Sequence, residues 1–106
     1  MKQGDIVAIA FPFSDLSARK VRPALVLSNN SYNKNNNIIL GGIYGKAGPR
    51  AIPLTNADLV HKKLNKDSFI SLQNIFSAER TLIGKSVDTL SSKMLARALK
   101  EVRGCF

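Results

Sequence analysis

One arginine in this chain is placed as a phosphate-binding group would be. Arg22 stands directly before Pro23 and the unbroken apolar run Ala24-Leu25-Val26-Leu27, which Ser28-Asn29-Asn30 closes. Proline fixes its own φ and pushes the residue before it into an extended conformation. A run so short and so apolar reads as a strand buried on both faces. Arg22 then sits at the mouth of a rigid strand, aimed by the backbone, with a planar guanidinium suited to gripping a phosphate. The same pair also fits a surface arginine ahead of an edge-strand proline. Residues 20–29 alone leave both readings open.

Other residue types narrow the chemistry. The single histidine, His61, lies beside Lys62-Lys63 with no companion ligand, so it reads as an exposed loop residue and not a metal site. Gly41, Gly42, Gly45 and Gly48 do not form a phosphate loop, because no Gly-Lys-Ser/Thr follows and no helix opens there. In a strand such glycines mark a close approach by another backbone or a ligand. The polar tract 29–37 reads either as a long hairpin loop or as a loop whose amides meet nucleotide edges, with Tyr32 for stacking.

The whole-chain numbers bound these options. At 106 residues the chain is one domain, 1–106, and 44% hydrophobic with 22% charged residues is ordinary for a globular protein. No apolar run approaches the ~20 residues of a membrane span, and Met1-Lys2-Gln3-Gly4 lacks a signal peptide's core. The one cysteine, Cys105, allows no intrachain disulfide, so a reduced, cytoplasmic setting is expected and the thiol reads as incidental. A net charge of +9 with a pI near 10.1 points to phosphate, meaning nucleic acid or an anionic membrane, or to a strongly acidic protein. The cations are spread along the chain, so the fold must assemble any basic patch. Membrane binding is the weaker option, since the one amphipathic helix is needed to cover the core.

The elements that must position these groups follow from periodicity. Buried strands are expected over Ile6 to Phe11 (ended by Pro12), over Ala24 to Leu27 with Arg22 at its mouth, and over Ile38 to Tyr44. Arg50 to Thr55 reads as a short edge strand containing Pro53. Asp67 to Phe76, with Phe69, Ile70 and Leu72 inward, and Thr81 to Val87 read as two more. Leu59, Val60 and Leu64 hint at one helical turn between them. Leu95, Ala98, Leu99 and Val102 recur at helical spacing opposite Lys93, Arg97, Lys100, Glu101 and Arg103, with Ser91 as N-cap and Gly104 as stop. The fold class is therefore mainly β, a small barrel with a C-terminal helix packed on it.

At this level of detail the chain resembles the MazF/PemK toxins of type II toxin–antitoxin systems. The resemblance rests on Gly4-Asp5-Ile6-Val7, Phe11-Pro12-Phe13-Ser14-Asp15-Leu16 and Lys20-Val21-Arg22-Pro23-Ala24-Leu25-Val26-Leu27-Ser28. The asparagine-rich turn, the strands Ile38 to Tyr44 and Asp67 to Leu72, and the terminal helix occur in the same order. It implies an SH3-like β-barrel that dimerises with RNA across the interface. It further implies sequence-selective, metal-independent cleavage of single-stranded RNA through the 2′-hydroxyl, with no cofactor, and neutralisation by a cognate acidic antitoxin. No acidic cluster or His/Cys set here suits a catalytic metal, and one histidine excludes a two-imidazole mechanism within one subunit.

The resemblance carries roles to particular residues. Arg22 matches the catalytic arginine of the RP motif. The second catalytic position, usually Thr or Ser, falls on Tyr44 within Ile43-Tyr44-Gly45, which keeps a hydroxyl on a longer, rigid ring. Ser14, Asp15, Arg19, Lys20, Asn29, Tyr32, Lys46, Gln73 and Asn74 are the expected RNA-binding residues, Gln73 and Asn74 matching a polar pair that faces RNA. The loop before the motif lacks the glutamate of some members and offers Asp15, Ser17 and Arg19 instead. Two other classes stay open: a non-cleaving RNA- or antitoxin-binding protein on this scaffold, and a gyrase-type inhibitor on the same barrel.

Overall fold

Gly4 and Asp5 do separate jobs at the start of the first strand. Gly4 has φ +94°, and a Cβ there would lie 2.9 Å from a Leu95 methyl, so only glycine fits beneath the C-terminal helix. Its N–H donates to the Val26 carbonyl and its own carbonyl accepts from Leu90, both at 2.9 Å. The buried Asp5 carboxylate accepts from the Lys2 backbone N–H at 2.9 Å and the Thr89 hydroxyl at 3.0 Å. Two residues thus tie the first strand to the end of the last.

The computed structural model describes residues 1–12 and 19–105. In chain order these form β1 (Asp5–Pro12), β2 (Arg19–Val26), β3 (Asn37–Tyr44), β4 (Ala51–Leu54), β5 (Ser68–Glu79), β6 (Ile83–Thr89) and α1 (Ser92–Arg103). The strands make one antiparallel sheet in the order β4-β5-β3-β2-β1-β6. The architecture is the mainly β, barrel-like one expected, with a single helix at the C-terminal end. The sheet stays open, with β4 and β6 at its edges, and Pro53 lies on edge strand β4, where a missing N–H does little harm. Among the described residues no helix is long and apolar enough to cross a membrane.

The unbroken apolar runs have a simple cause: their strands are buried on both faces. Leu25 and Leu27 of the second run join Ile6, Ile43, Ile70 and Leu72 beneath α1, while Ala24 and Val26 join Val7, Ile9, Ile38 and Leu40 on the opposite face. Ser91 caps α1 by accepting from the Met94 N–H at 3.2 Å, and the helix lays Met94 and Ala98 into the first cluster. Leu95, Leu99 and Val102 pack at its margin. Truncating a core residue such as Leu25 would cost about 2–5 kcal/mol.

Two expectations change. β2 begins at Arg19, so Arg22 and Pro23 lie inside the strand and not at its mouth. Phe69 does not point inward with Ile70 and Leu72: it is half-buried and faces the other way, into a surface cavity.

The segment between β4 and β5 has little regular structure and is held by side chains. Asp58 accepts from the Thr55 N–H at 2.9 Å. The Asn56 amide bonds to Leu64 at both its N–H (2.8 Å) and its carbonyl (3.1 Å). Buried Asp88 accepts from the N–H groups of His61 and Lys63 at 2.9 Å and of Thr89 at 2.8 Å. Between those anchors Lys62 holds a left-handed conformation, φ 54°. Burial, the largest single influence, would raise the Asp88 pKa. The N–H groups of Lys63, His61 and Thr89, with the nearby His61 charge, together outweigh it and hold the carboxyl below its usual 3.8.

Asp88→Asn sets an amide donor against a backbone N–H and should cost about 1–3 kcal/mol in urea unfolding at pH 7. Because the native pKa is lowered, the wild-type advantage is present above the usual carboxyl pKa. It is lost as pH falls below 3.8 through the native value. The gap between the two proteins should therefore close in acid. Equal stability at pH 7 would contradict the anchor.

Candidate functional site

A missing backbone donor opens the site. β2 pairs with β1 along its length, setting Ile9 against Arg22 and Ala8 against Pro23. It pairs with β3 only at Ala24↔Gly42, Leu25↔Gly41 and Val26↔Leu40. Carried two residues further, that register would set Arg22 opposite Tyr44. Pro23 has no N–H to extend the ladder, so β2 and β3 part there. The gap is a cavity of about 480 Å³, lined by Arg22 on one side and Tyr44 on the other. Its size is in the range that holds a drug-sized ligand such as one nucleotide.

Gly42 decides where the tyrosine lies. A Cβ at this position would sit 2.7 Å from Tyr44 Cε2 and 2.8 Å from its Oη, so the ring rests directly on the backbone of its own strand. The close approach that the paired glycines announce is made by Tyr44 itself. From β5, the Asn74 amide donates a hydrogen bond to the Tyr44 hydroxyl oxygen. The ring is thereby pinned by Gly42 below and Asn74 at its tip.

β5 supplies the third wall through a bulge. From Gly41 to Ile43, β3 advances two residues, while their partners on β5, Ile75 and Ile70, lie five apart. The odd number of extra residues reverses the alternation. Phe76 and Ala78 share a face with Leu40, and beyond the bulge Phe69 and Ser71 come to that same side and line the cavity. Ala51 pairs with Ser71 across the β4 ladder and lines it too.

The cavity is cationic. Arg22, Lys46 and Lys66 line it, and among the described residues no carboxylate does. Lys66 lies across the backbone of Gly45, its Nζ 2.9 Å from where a Cβ would be. The Ser68 hydroxyl donates to the Lys66 carbonyl at 3.1 Å, and the Asp88 anchor restrains the preceding loop. Three cations around one hollow repel one another until an anion enters.

The expected site residues divide into groups. Arg22, Tyr44 and Lys46 come together in the cavity, Asn74 is joined to it through Tyr44, and Gln73 is exposed on the bulge. Asn29 and Tyr32 line a different hollow with Leu99 and Arg103. Asn29 there accepts from the Tyr32 N–H at 2.8 Å. Within the asparagine tract, Asn33 is buried and bonds Ser28, so part of that tract is structural. Arg19 and Lys20 are backbone positions of β2. Ser14 and Asp15, with the expected loop 13–18, lie outside the described residues. Sequence reasoning missed Lys66, Phe69 and Ser71. The break in alternation at Gln73-Asn74 marks an irregularity in β5 but not which residues it turns to the cavity.

The chain shares this fold with solved toxins. An endoribonuclease from a mycobacterial species, solved with its cognate antitoxin, overlays with a TM-score of 0.74 at 13% identity, covering 98% of this chain and 90% of that one. The Mycobacterium tuberculosis toxin MazF-mt6 gives 0.71 at 22% identity, over 94% and 93%. A MazE–MazF structure from Deinococcus radiodurans gives 0.76 at 22% identity, over 99% and 90%. No curated protein matches by sequence. Residues 2–106 match the family described as PemK-like, MazF-like toxin of type II toxin–antitoxin system, and the chain belongs to that family.

Proposed function

We propose that this chain is an endoribonuclease toxin that cleaves single-stranded RNA without a metal ion and is neutralised by a cognate acidic antitoxin. The observation that carries the reading is Arg22 facing Tyr44 across a cavity whose charged lining residues, among those described, are all cations. A phosphodiester fits that field, and a net charge of +9 extends it beyond the cavity.

In the reaction the 2′-oxygen bonds to the adjacent phosphorus and the bond to the 5′-oxygen breaks. The 2′-hydroxyl proton leaves through solvent and the departing 5′-oxygen takes one up, giving a cyclic phosphate and a 5′-hydroxyl. Negative charge accumulates on the non-bridging oxygens as phosphorus becomes five-coordinate. Arg22 answers that charge with two directed N–H bonds, stronger in the transition state than in the ground state. Lys46 and Lys66 hold the neighbouring phosphates. Tyr44, whose oxygen already accepts from Asn74, keeps its own proton free to donate towards the substrate. Exposed Gln73 is placed to meet base edges, and a second subunit extends the groove. An acidic antitoxin segment that folds over the same cations would block RNA. MazE–MazF structures among the relatives support a partner of that kind.

One observation favours a second reading, an RNA binder that does not cut: the hydroxyl oxygen of Tyr44 is already engaged. Arg22 separates the two. Arg22→Ala should lower cleavage by about 10²–10³-fold, comparable to losing one oxyanion donor, while RNA affinity falls far less. Arg22→Lys should recover little, because lysine lacks the fork. Equal losses in binding and cleavage would favour simple phosphate binding. Affinity for single-stranded RNA should also fall with salt at a log–log slope of about −0.7 per neutralised phosphate. A slope near zero would remove RNA as the ligand.

A further inference from the structure

We propose that Ser71 is a further catalytic residue, donating its hydroxyl proton in a hydrogen bond to a non-bridging oxygen of the scissile phosphate. The inference rests on the ribonuclease reading above and assigns a role within the same cavity. Three observations carry it, and none depends on a charge or titration.

The first is placement. Without the bulge, the alternation of β5 would turn Ser71 away from the face it shares with Arg22 and Tyr44. With it, Ser71 and Phe69 line the cavity, and Ile70 and Leu72 enter the core. The second is access. Its cross-strand partner on the β4 ladder is Ala51, whose side chain is too small to cover it. The third is availability. Among the described residues, buried or half-buried serines elsewhere spend their hydroxyls on the fold. Ser28 bonds Asn33 and the Ile39 N–H, Ser68 donates to the Lys66 carbonyl, and Ser91 caps α1. Ser71 makes no such bond among the described residues, although it is half-buried.

Tyr44 sharpens the argument. The tip of its ring lies against Gly42 and its oxygen is held by Asn74, so it cannot reach further into the cavity without breaking that bond. Ser71 presents a short hydroxyl on the neighbouring strand. A neutral donor there complements Arg22: the guanidinium takes one pair of oxygens and the serine reaches another. No bond is made to Ser71 and its proton stays on its own oxygen, so the atom balance of the cleavage step is unchanged.

The test compares Ser71→Thr with Ser71→Val in the full chain, nearly equal in shape and both suited to a strand, so that only the hydroxyl differs. Single-turnover cleavage of a mixed single-stranded RNA pool is measured beside RNA affinity and the urea midpoint. Ser71→Thr should cleave close to wild type. Ser71→Val should lose about tenfold to a hundredfold in rate, with affinity and midpoint little changed. Should branching at Cβ disturb the strand, Ser71→Ala serves as the hydroxyl-free variant and should show the same loss. Equal rates for the Thr and Val variants, or full activity in Ser71→Ala, would overturn the role of Ser71 while leaving the ribonuclease reading standing. Failure of the wild-type protein to cut any RNA overturns both, and is recognised because every arm is then silent.

Discussion

The absence of one N–H, at Pro23, governs the geometry of this molecule's cationic cavity. β2 could have paired with β3 for two residues more, since its register is already set to bring Arg22 opposite Tyr44. Had it done so, the two side chains would have stood side by side on a continuous sheet. Because proline cannot extend the ladder, the strands separate while β1 still holds β2 straight from the other side. The result is an arginine on a rigid strand, with an open hollow next to it and no loop to wander on. Catalysis by charge stabilisation depends on that kind of fixed donor, because nothing then has to reorganise as charge develops.

Around this opening, other parts of the chain give up local stability to shape the lining. Gly42 sacrifices a side chain so that Tyr44 can lie on the backbone, and β5 breaks its ladder to present Phe69 and Ser71. Three cations accumulate where, among the described residues, no carboxylate relieves them. Such arrangements weaken a small domain, and the two apolar clusters that bury β1 to β3 on both faces offset them. The loop that brings Lys66 is restrained by Asp88 and Asn56, whose hydrogen bonds replace the regular structure it lacks.

Much of this was legible in the sequence, for reasons that can be named. Strands buried on both faces appear as unbroken apolar runs, and those over 6–11, 24–27 and 38–44 announced the centre of the sheet. Pro53 identified an edge, and the helical period of Leu95 to Val102 identified α1. The Arg22-Pro23 pair marked a special place in β2, but not that both lie within the strand. That depends on Arg19 to Val21 pairing with β1, and three residues without an apolar pattern carry no such signal. Gly41-Gly42 foretold a close approach without naming the group that makes it. Phe69 was misread as inward because period-two alternation is blind to a bulge that reverses it further along the strand. Ser71 and Lys66 were invisible for a related reason: which small or charged residues meet in a cavity is a property of register, not of type.

The central claim is that this cavity cleaves RNA by stabilising charge on a phosphorus attacked by its own 2′-hydroxyl. Its most direct test is the chemistry of the ends left when the purified protein acts on a mixed single-stranded RNA pool in excess chelator. The account predicts cleavage that persists in chelator and leaves 2′,3′-cyclic phosphate and 5′-hydroxyl ends. Ends bearing 3′-hydroxyl and 5′-phosphate, or cleavage abolished by the chelator, would contradict it.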